Sequence, residues 1–261
     1  MATAHCTVVK VGGSLLETDR TRDAVLDAVA AIAGSCILVH GGGGLASTWS
    51  ARMGIPVRRV QGRRITDAAT LEMVTMVYGG LVNRGLVAEL QARGRNALGM
   101  TGADADCIRA ARRPAGDIDY GYVGDIQVVR KESFSALLSA GFLPVVAPLT
   151  HDGRGQLLNT NADTVAAAIA AAMTQITRTQ LVICLDSAGV LDTDGATLSR
   201  IDTAQAAALE QEGTVRDGML PKLAAAFDAR RAGVSRTVLC RGTDLAAAAA
   251  GADGNWTELA A

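Results

Sequence analysis

Aromatic and cysteine residues are sparse in this chain. Its 261 residues include three Phe, three Tyr, two Trp and five Cys. Alanine, valine and leucine must therefore fill the core, which suits helices packed on a parallel sheet better than a β-sandwich. The odd number of cysteines and the lack of C-x-x-C spacing argue against a disulfide framework. We expect the cysteines to be buried, reduced thiols.

Neither sign of charge dominates, and long apolar runs are missing. The 25 Lys and Arg residues face 26 Asp and Glu, a formal net charge of −1, so the chain has no global attraction for nucleic acid. The longest apolar run, at residues 165–173, is far shorter than the ~20 residues of a membrane helix. The first residues lack the basic and apolar regions of a signal peptide. We expect a cytoplasmic protein without nucleic-acid or membrane partners.

Short β-branched runs alternate with longer helical stretches, which is typical of a parallel α/β sheet. The pattern predicts strands at 6–11, 36–40, 143–149, 181–185 and 237–240. It predicts helices at 21–33, 45–53, 67–93, 132–140, 203–212 and 219–231, and an alanine-rich helix that Asn161 or Asp163 caps and that ends at Met173. A hairpin is expected at 57–66, a β-rich insertion at 96–130 and an alanine-rich helix at the end. Gly79 and Gly80 inside the long helix indicate close packing, either within the subunit or across a dimer axis.

Two glycine-rich loops follow the first two predicted strands. The first is K-V-G-G at 10–13 and the second is H-G-G-G-G at 40–44. Ligands of open α/β sheets gather at the carboxyl ends of the strands. Backbone N–H groups in such loops, at helix N-termini, attract anions. Two successive loops, with a lysine at the first strand end, predict an anion-binding site.

Several other site types are disfavoured by spacing. The Walker P-loop pattern is absent, and the three histidines lack zinc-ligand spacing, so no protein-built metal site is expected. Gly41, Gly43 and Ala46 fit a dinucleotide fingerprint with Asp67 about twenty residues on. This leaves a nicotinamide-linked oxidoreductase as an alternative. However, Asp67 begins a helix instead of ending a strand. His40 is expected to be a structural hydrogen-bonding residue.

Six motifs, in order along nearly the whole chain, resemble the amino acid kinase family. They are K-V-G-G at 10–13, H-G-G-G at 40–43, G-R-R-I-T-D at 62–67, L-N-T-N-A-D at 158–163, D-S-A-G-V-L at 186–191 and D-G-M at 217–219 with Lys222. Segments 74–83 and 147–153 resemble a subgroup from Bacteroidetes-type bacteria. The resemblance implies an open, mostly parallel αβα sandwich of the carbamate kinase-like type. It also implies an N-lobe (1–174) for acyl-glutamate binding and dimerisation and a C-lobe (175–261) for nucleotide binding.

The same resemblance implies ATP-dependent phosphorylation of the γ-carboxylate of N-acetyl-L-glutamate, the second step of arginine biosynthesis. N-succinyl-L-glutamate and another carboxylate of the family remain alternative substrates. A non-catalytic amino-acid sensor is a further alternative, which the retention of Lys10, Asp163 and Lys222 disfavours. A carboxylate is already ionised at neutral pH, so its phosphorylation needs positioning and charge neutralisation instead of a general base. Lysines and glycine-loop N–H groups suit that task.

Residue roles follow from the resemblance, position by position. Lys10 and Lys222 match the two transition-state stabilisers, and Asp163 matches the carboxylate that holds both. The acyl-glutamate site matches Gly42, Gly43, Arg64 and Asn159. The nucleotide site matches Gly12, Gly13, Asp186, Gly189, Leu191, Thr214 and Arg216. Mg²⁺ is expected to be held mainly by the ATP phosphates. Leu185 and Pro221 depart from the family pattern near the nucleotide loops.

Assembly and acyl-group choice are predicted from fewer features. Arginine-inhibited relatives form hexamers through an extra N-terminal helix, and few residues precede the first predicted strand here. We therefore expect a homodimer that is insensitive to arginine. A succinyl group would add a carboxylate that needs a cationic partner. Arg58, Arg59 and Arg63 are the candidates for that partner.

Overall fold

The computed structural model describes residues 5–60, 62–216 and 218–260. The first four residues, Gln61 of the predicted hairpin and Asp217 of the last motif lie outside the described residues. The strands are β1 (His5–Val11), β2 (Ser35–His40), β3 (Arg59–Val60), β4 (Arg63–Arg64), β5 (Ala97–Met100), β6 (Ile108–Arg112), β7 (Gly124–Val129), β8 (Leu143–Val146), β9 (Leu149–His151), β10 (Leu157–Asn159), β11 (Arg178–Leu185), β12 (Arg200–Ile201), β13 (Arg236–Arg241) and β14 (Thr257–Leu259). The helices are α1 (Asp19–Ala31), α2 (Gly43–Arg52), α3 (Ala68–Val74), α4 (Asn83–Ala92), α5 (Lys131–Ser139), α6 (Ala162–Met173), α7 (Thr203–Gln211), α8 (Met219–Arg231) and α9 (Leu245–Ala250).

A large central sheet organises the described residues. Its strand order is β12-β14-β13-β11-β1-β2-β8-β5. Strand β1 runs parallel to both β11 and β2, so that Lys10 lies opposite Ile183 on one side and Val39 on the other. The pairing of β13 with β14 is antiparallel. The predicted open, mostly parallel sheet is therefore confirmed.

Helices cover both faces of this sheet. Alternate residues of β1 enter two separate cores, because successive strand side chains point to opposite faces. Val9 and Val11 join a core with α1, α3, α4 and α9, whereas Cys6 and Val8 join a core with α6 and α8. All five cysteines are buried and free, as predicted.

A smaller sheet with the order β10-β9-β6-β7 stands beside the central one, and β3 pairs with β4 as the predicted hairpin. The strand predicted at 143–149 is wrong as a single unit. It is divided into β8, in the central sheet, and β9, in the smaller sheet, with Pro148 between them. Proline lacks the N–H that a continuous ladder requires. The division matters for the site, because β9 pairs with β10, and β10 leads to Asn159 and α6.

The long helix predicted at 67–93 is present as three helical segments. A π-helical segment, Thr75–Val82, separates α3 from α4. Within it, a Cβ on Gly79 would lie 3.4 Å from Leu149 Cδ1, whereas a Cβ on Gly80 would meet no described atom within 4 Å. Gly79 therefore packs within the subunit. The sequence also missed β12 and β14, the second of which follows the last helix.

Candidate active site

The glycine loops after β1 and β2 lie against each other at the carboxyl edge of the central sheet. A Cβ on Gly13 would lie 2.9 Å from the backbone nitrogen of Gly42. Only glycine at position 13 permits this approach without displacing the neighbouring backbone. Helix α2 begins at Gly43, immediately after the contact. The loops thus bring two strand ends and one helix N-terminus to one place.

Two lysines meet one buried carboxylate beside these loops. Lys10 Nζ lies 2.8 Å from Asp163 Oδ1, and Lys222 Nζ lies 3.4 Å from Asp163 Oδ2. Lys10 lies on β1, Lys222 lies in the first turn of α8, and Asp163 lies in the first turn of α6. The Asn161 side chain caps that turn by accepting from the backbone nitrogens of Asp163 and Thr164. The cap fixes the position of the carboxylate.

Burial and charge act against each other in this group. Burial opposes ionisation of Asp163, but Lys10 and Lys222 outweigh it and hold the pKa of Asp163 below its ordinary value. Burial, reinforced by Lys10, lowers the pKa of Lys222, and Asp163 and Asp186 act in the opposite direction. Asp163 is therefore ionised at neutral pH. It keeps two ammonium groups close together although they repel each other.

A cleft of about 240 Å³ opens beside this group. Arg64 is buried there and donates from Nη2 to Ser47 Oγ at 2.8 Å and to the Gly43 carbonyl at 3.2 Å. Arg59 reaches the same two acceptors, each at 3.3 Å. Among the ion pairs of the described residues, none includes Arg59, Arg63 or Arg64. The guanidiniums of Arg59 and Arg64 are held by neutral acceptors, which leaves their charge available to an anionic ligand.

Asn159 also lines this first cleft. Its Nδ2 donates to Thr66 Oγ1 at 3.0 Å, and Thr66 Oγ1 donates to the Arg64 carbonyl at 3.2 Å. The chain of contacts joins the end of β10 to the β3–β4 hairpin. Gly42 and Gly43 also line the cleft, so all four residues predicted for the acyl-glutamate site lie together. Arg58 instead pairs with Asp67 at 2.8 Å.

A second cleft, of about 350 Å³, also borders this group. Gly12, Gly13 and Asp186 line it, and Ser14 Oγ, after β1, donates to Asp186 Oδ2, after β11, at 2.8 Å. The two clefts share three residues, which are Lys10, Gly13 and Lys222. The cationic pair therefore lies where the clefts meet.

The other residues predicted for the nucleotide site do not line this second cleft; they are Gly189, Leu191, Thr214 and Arg216. Gly189 packs on β14, where a Cβ would come within 2.8 Å of the Thr257 nitrogen. Leu191 is exposed in the loop after β11, and Thr214 and the exposed Arg216 lie in the loop before α8. Their roles in binding nucleotide stay predictions. Pro221 is accommodated in the first turn of α8, where its missing N–H costs no helical hydrogen bond.

His40 forms a hydrogen bond to the second glycine loop. Asn83 Nδ2 donates to His40 Nε2 at 3.1 Å, so His40 Nδ1 carries the proton and donates to the Gly41 carbonyl at 2.9 Å. Burial lowers the pKa of His40 to about 4, although the bond to Gly41 opposes the change. The histidine is therefore neutral at neutral pH. Its predicted role as a structural hydrogen-bonding residue is confirmed.

Two features of the sequence outside the motif patterns also point to site residues: the scarcity of lysine and the spacing of Ser47 from Gly43. Lysine is rare in this chain, with only Lys10, Lys131 and Lys222 present, and two of the three meet at Asp163. Ser47 lies one helical turn after Gly43, a spacing that places its hydroxyl beside the loop. Tyr78, which also lines the first cleft, immediately precedes the glycine pair. Nothing in its local sequence indicated that it faces a ligand site.

The described residues contain no cluster of three or more His, Cys, Asp or Glu side chains arranged to hold a metal ion. Across the same residues, no helix is both long enough and apolar enough to span a membrane.

Two clefts lined by glycine loops and cationic side chains meet at a group of two lysines around one buried aspartate, an arrangement suited to two anionic ligands side by side. The chain belongs to the amino acid kinase family, whose sequence model matches residues 5–241. An acetylglutamate kinase from Bacteroides fragilis is 49% identical over 236 residues, which cover 89% of this chain and 90% of that protein. The predicted resemblance to the family and to its Bacteroidetes-type subgroup is confirmed.

Solved structures agree on the fold. The N-acetylglutamate synthase of Neisseria gonorrhoeae superposes with a TM-score of 0.84 at 22% identity, covering 99% of this chain and 60% of the synthase. A carbamate kinase from Giardia superposes with a TM-score of 0.65 at 14% identity, covering 99% of each chain. The expected carbamate kinase-like αβα sandwich is confirmed.

Proposed function

We propose that this protein transfers the γ-phosphoryl group of ATP to the γ-carboxylate of N-acetyl-L-glutamate, producing N-acetyl-L-glutamyl 5-phosphate and ADP. The observation that carries the proposal is the junction of two clefts at Lys10, Gly13 and Lys222. The 49% identity to the acetylglutamate kinase of Bacteroides fragilis favours this acceptor over other carboxylates. The product belongs to arginine biosynthesis.

The first cleft, in the N-lobe (1–174), binds the acyl-glutamate. Arg64 is the clamp for the carboxylate that does not react, because its guanidinium is buried and held by neutral acceptors. A guanidinium binds a carboxylate through two parallel hydrogen bonds. Asn159 and the N–H groups of Gly42 and Gly43 bind the remaining polar atoms. The γ-carboxylate then points toward Lys10.

The second cleft, between the N-lobe and the C-lobe (175–261), binds the phosphates of ATP. The N–H groups of Gly12 and Gly13 face the phosphates, and Asp186 orders the nucleotide side. The loops that carry Gly189, Leu191, Thr214 and Arg216 surround the rest of the nucleotide. Mg²⁺ neutralises phosphate charge when it is bound. The described residues offer no three-carboxylate cage, and such an ion is commonly held by substrate phosphates with few protein ligands.

The chemical step requires no general base. An oxygen of the γ-carboxylate attacks the γ-phosphorus, the bond to the bridging oxygen of ATP breaks, and ADP leaves with the electron pair. Charge spreads over the transferring group as this happens. Lys10 and Lys222 neutralise that charge from the two sides of the junction, and Asp163 keeps both ammonium groups in position. Prealigned charges of this kind stabilise the transition state without reorganisation during the step.

We further propose that the protein acts in the cytoplasm as a homodimer. The π-helical segment supports the dimer, because Met76 and Leu81 on it are half exposed and Gly80 beside them faces open space. An exposed apolar helix face of this kind is suited to pack on a second copy. Light scattering should give twice the monomer mass, and Leu81→Arg should reduce it to the monomer mass. A hexamer would contradict the proposal.

The proposed reaction is tested by trapping the acyl phosphate with hydroxylamine. The purified protein is incubated with ATP and Mg²⁺ and a panel of N-acetyl-L-glutamate, N-succinyl-L-glutamate, N-acetyl-L-aspartate and L-glutamate. We expect hydroxamate from N-acetyl-L-glutamate with the highest kcat/KM. No hydroxamate from any acceptor would contradict the function. A preference of about tenfold or more for the succinyl compound, lost in Arg59→Ala or Arg63→Ala, would contradict the acetyl assignment.

A further inference from the structure

A buried tyrosine, Tyr78, lies in the wall of the first cleft. It is 6% exposed and shares the cleft with Arg59 and Arg64. Its position comes from the π-helical segment Thr75–Val82, which interrupts the helix between α3 and α4. π-helical turns are rare and occur frequently at functional sites, because the widened turn redirects a side chain that a regular helix would place elsewhere.

The Tyr78 ring packs directly on the second glycine loop. A Cβ on Gly42 would lie 2.9 Å from both Cδ1 and Cε1 of the ring. No real Cβ approaches an aromatic carbon so closely, so the ring occupies the space that a side chain at position 42 would need. The carbonyl oxygen of the next residue, Gly43, accepts a hydrogen bond from Arg64. The ring therefore supports the turn that supplies one of the acceptors of Arg64.

Tyr78 and Arg64 line the same cleft, and the Tyr78 phenol interacts with the Arg64 guanidinium. Burial raises the pKa of Tyr78, whereas Arg64 and Arg59 act in the opposite direction, Arg64 partly through a hydrogen bond to the phenol. The phenol is thus protonated and neutral at neutral pH. A neutral acceptor can orient a guanidinium and leave its positive charge unpaired. A carboxylate at the same place would orient Arg64 equally well but would cancel the charge that an anionic ligand needs.

We infer that Tyr78 is the positioning residue for the carboxylate clamp: its ring fixes the Gly42–Gly43 turn and its hydroxyl aims the Arg64 guanidinium into the cleft. The inference rests on the proposed function, in which Arg64 binds the non-reacting carboxylate of the acyl-glutamate. Tyr78 acts through Arg64. Its loss should therefore weaken binding of the acceptor and leave ATP binding and the chemical step almost unchanged.

The test is Tyr78→Phe, which removes the hydroxyl and keeps the ring. We expect KM for N-acetyl-L-glutamate to rise on the order of tenfold, the loss typical of one hydrogen bond to a charged group. We expect kcat and KM for ATP to change by less than about twofold, because Tyr78 does not line the second cleft. Tyr122→Phe is the matched control, since the Tyr122 ring lies against Arg112, outside both clefts. An unchanged KM for the acceptor, or an equal rise in both KM values, would overturn the inference.

A double-mutant cycle separates action through Arg64 from direct contact with the substrate. In an Arg64→Ala background, Tyr78→Phe should have no further effect on KM, because the group that it positions is gone. Multiplicative effects of the two substitutions would overturn the positioning role. Calorimetric binding of N-acetyl-L-glutamate to wild type and variants gives a second readout. Wild type that binds the acceptor but forms no hydroxamate contradicts the proposed function alone, and the binding series still tests Tyr78.

Discussion

The two clefts differ in how firmly the protein holds their polar and charged side chains. In the first cleft, Arg64 and Asn159 are buried and bonded to hydroxyl and carbonyl groups of neighbouring elements. In the second cleft, Ser14 and Asp186 are exposed and bond chiefly to each other. In the proposed function, the comparison predicts that the acyl-glutamate side is preorganised, whereas ATP completes the nucleotide side. Preorganisation lowers the cost of ordering side chains on binding.

The two lysines at the junction repeat this difference on a smaller scale. The Lys10 side chain is 4% exposed and lies 2.8 Å from Asp163. The Lys222 side chain is 24% exposed, lies 3.4 Å from the same carboxylate, and comes from α8. Lys10 is fixed in a strand at the centre of the sheet. Lys222 is therefore the less constrained member of the pair.

The largest effect is expected from removing either lysine. Lys10→Ala and Lys222→Ala should each lower kcat by at least ~10²-fold, because each ammonium group meets its full share of charge only in the transition state. Steady-state kinetics at saturating ATP and N-acetyl-L-glutamate measure this. Lys131→Ala is the control, since Lys131 pairs with Glu132 on α5. An unchanged kcat in either variant removes that lysine from the mechanism.

The second effect is confined to one cleft. Arg64→Ala should raise KM for N-acetyl-L-glutamate roughly tenfold or more, the value of a lost charge-assisted pair, with a much smaller change in KM for ATP. Initial rates with each substrate varied in turn give both constants. Arg58→Ala, which removes a guanidinium paired with Asp67, should leave both near wild type. Equal rises in the two KM values would show that Arg64 does not belong to the acceptor side.

The third prediction concerns His40, which forms a hydrogen bond to the second glycine loop. His40 has a pKa of about 4 when folded, against 6.5 for the unperturbed group, so the unfolded state takes up a proton first as the pH falls. Its contribution to stability is complete above pH 6.5 and is lost between pH 6.5 and 4, by up to ~1.4 kcal/mol per pH unit. Urea unfolding across this range measures the slope. His40→Gln should be less stable at pH 7 but should show a shallower dependence on pH, and an equal slope would contradict the assignment.

The smallest effect compares two serines, one in each cleft. Ser14→Ala removes a bond to exposed Asp186 and should raise KM for ATP by about twofold to threefold, since exposed hydrogen bonds contribute little. Ser47→Ala removes an acceptor of Arg64 and should raise KM for N-acetyl-L-glutamate instead. The two variants serve as controls for each other. A rise in KM for N-acetyl-L-glutamate in Ser14→Ala, together with a rise in KM for ATP in Ser47→Ala, would contradict the assignment of the two clefts.

The sequence was most informative where chemistry and local structure coincide. Helix α8 runs from Met219 to Arg231 as predicted, and the motif residues Lys10, Asp163 and Lys222 meet as their family resemblance implied. What the sequence missed depends on tertiary pairing. Strands as short as β12 and β14 leave almost no periodic pattern, because distant partners define them. Tyr78 was missed because it lies in a π-helical segment, which the sequence pattern did not distinguish from a regular helix.

The central claim is that Lys10 and Lys222 act on the transferring phosphoryl group at the junction of the clefts. Its most direct test is the binding of ADP with Mg²⁺, tetrafluoroaluminate and N-acetyl-L-glutamate, which together mimic the transition state. Calorimetry should show ADP binding to wild type at least ~10²-fold more tightly with the full mixture than alone. This gain should be lost in Lys10→Ala and in Lys222→Ala, with binding of ADP alone almost unchanged. A gain that survives in either variant would contradict the claim.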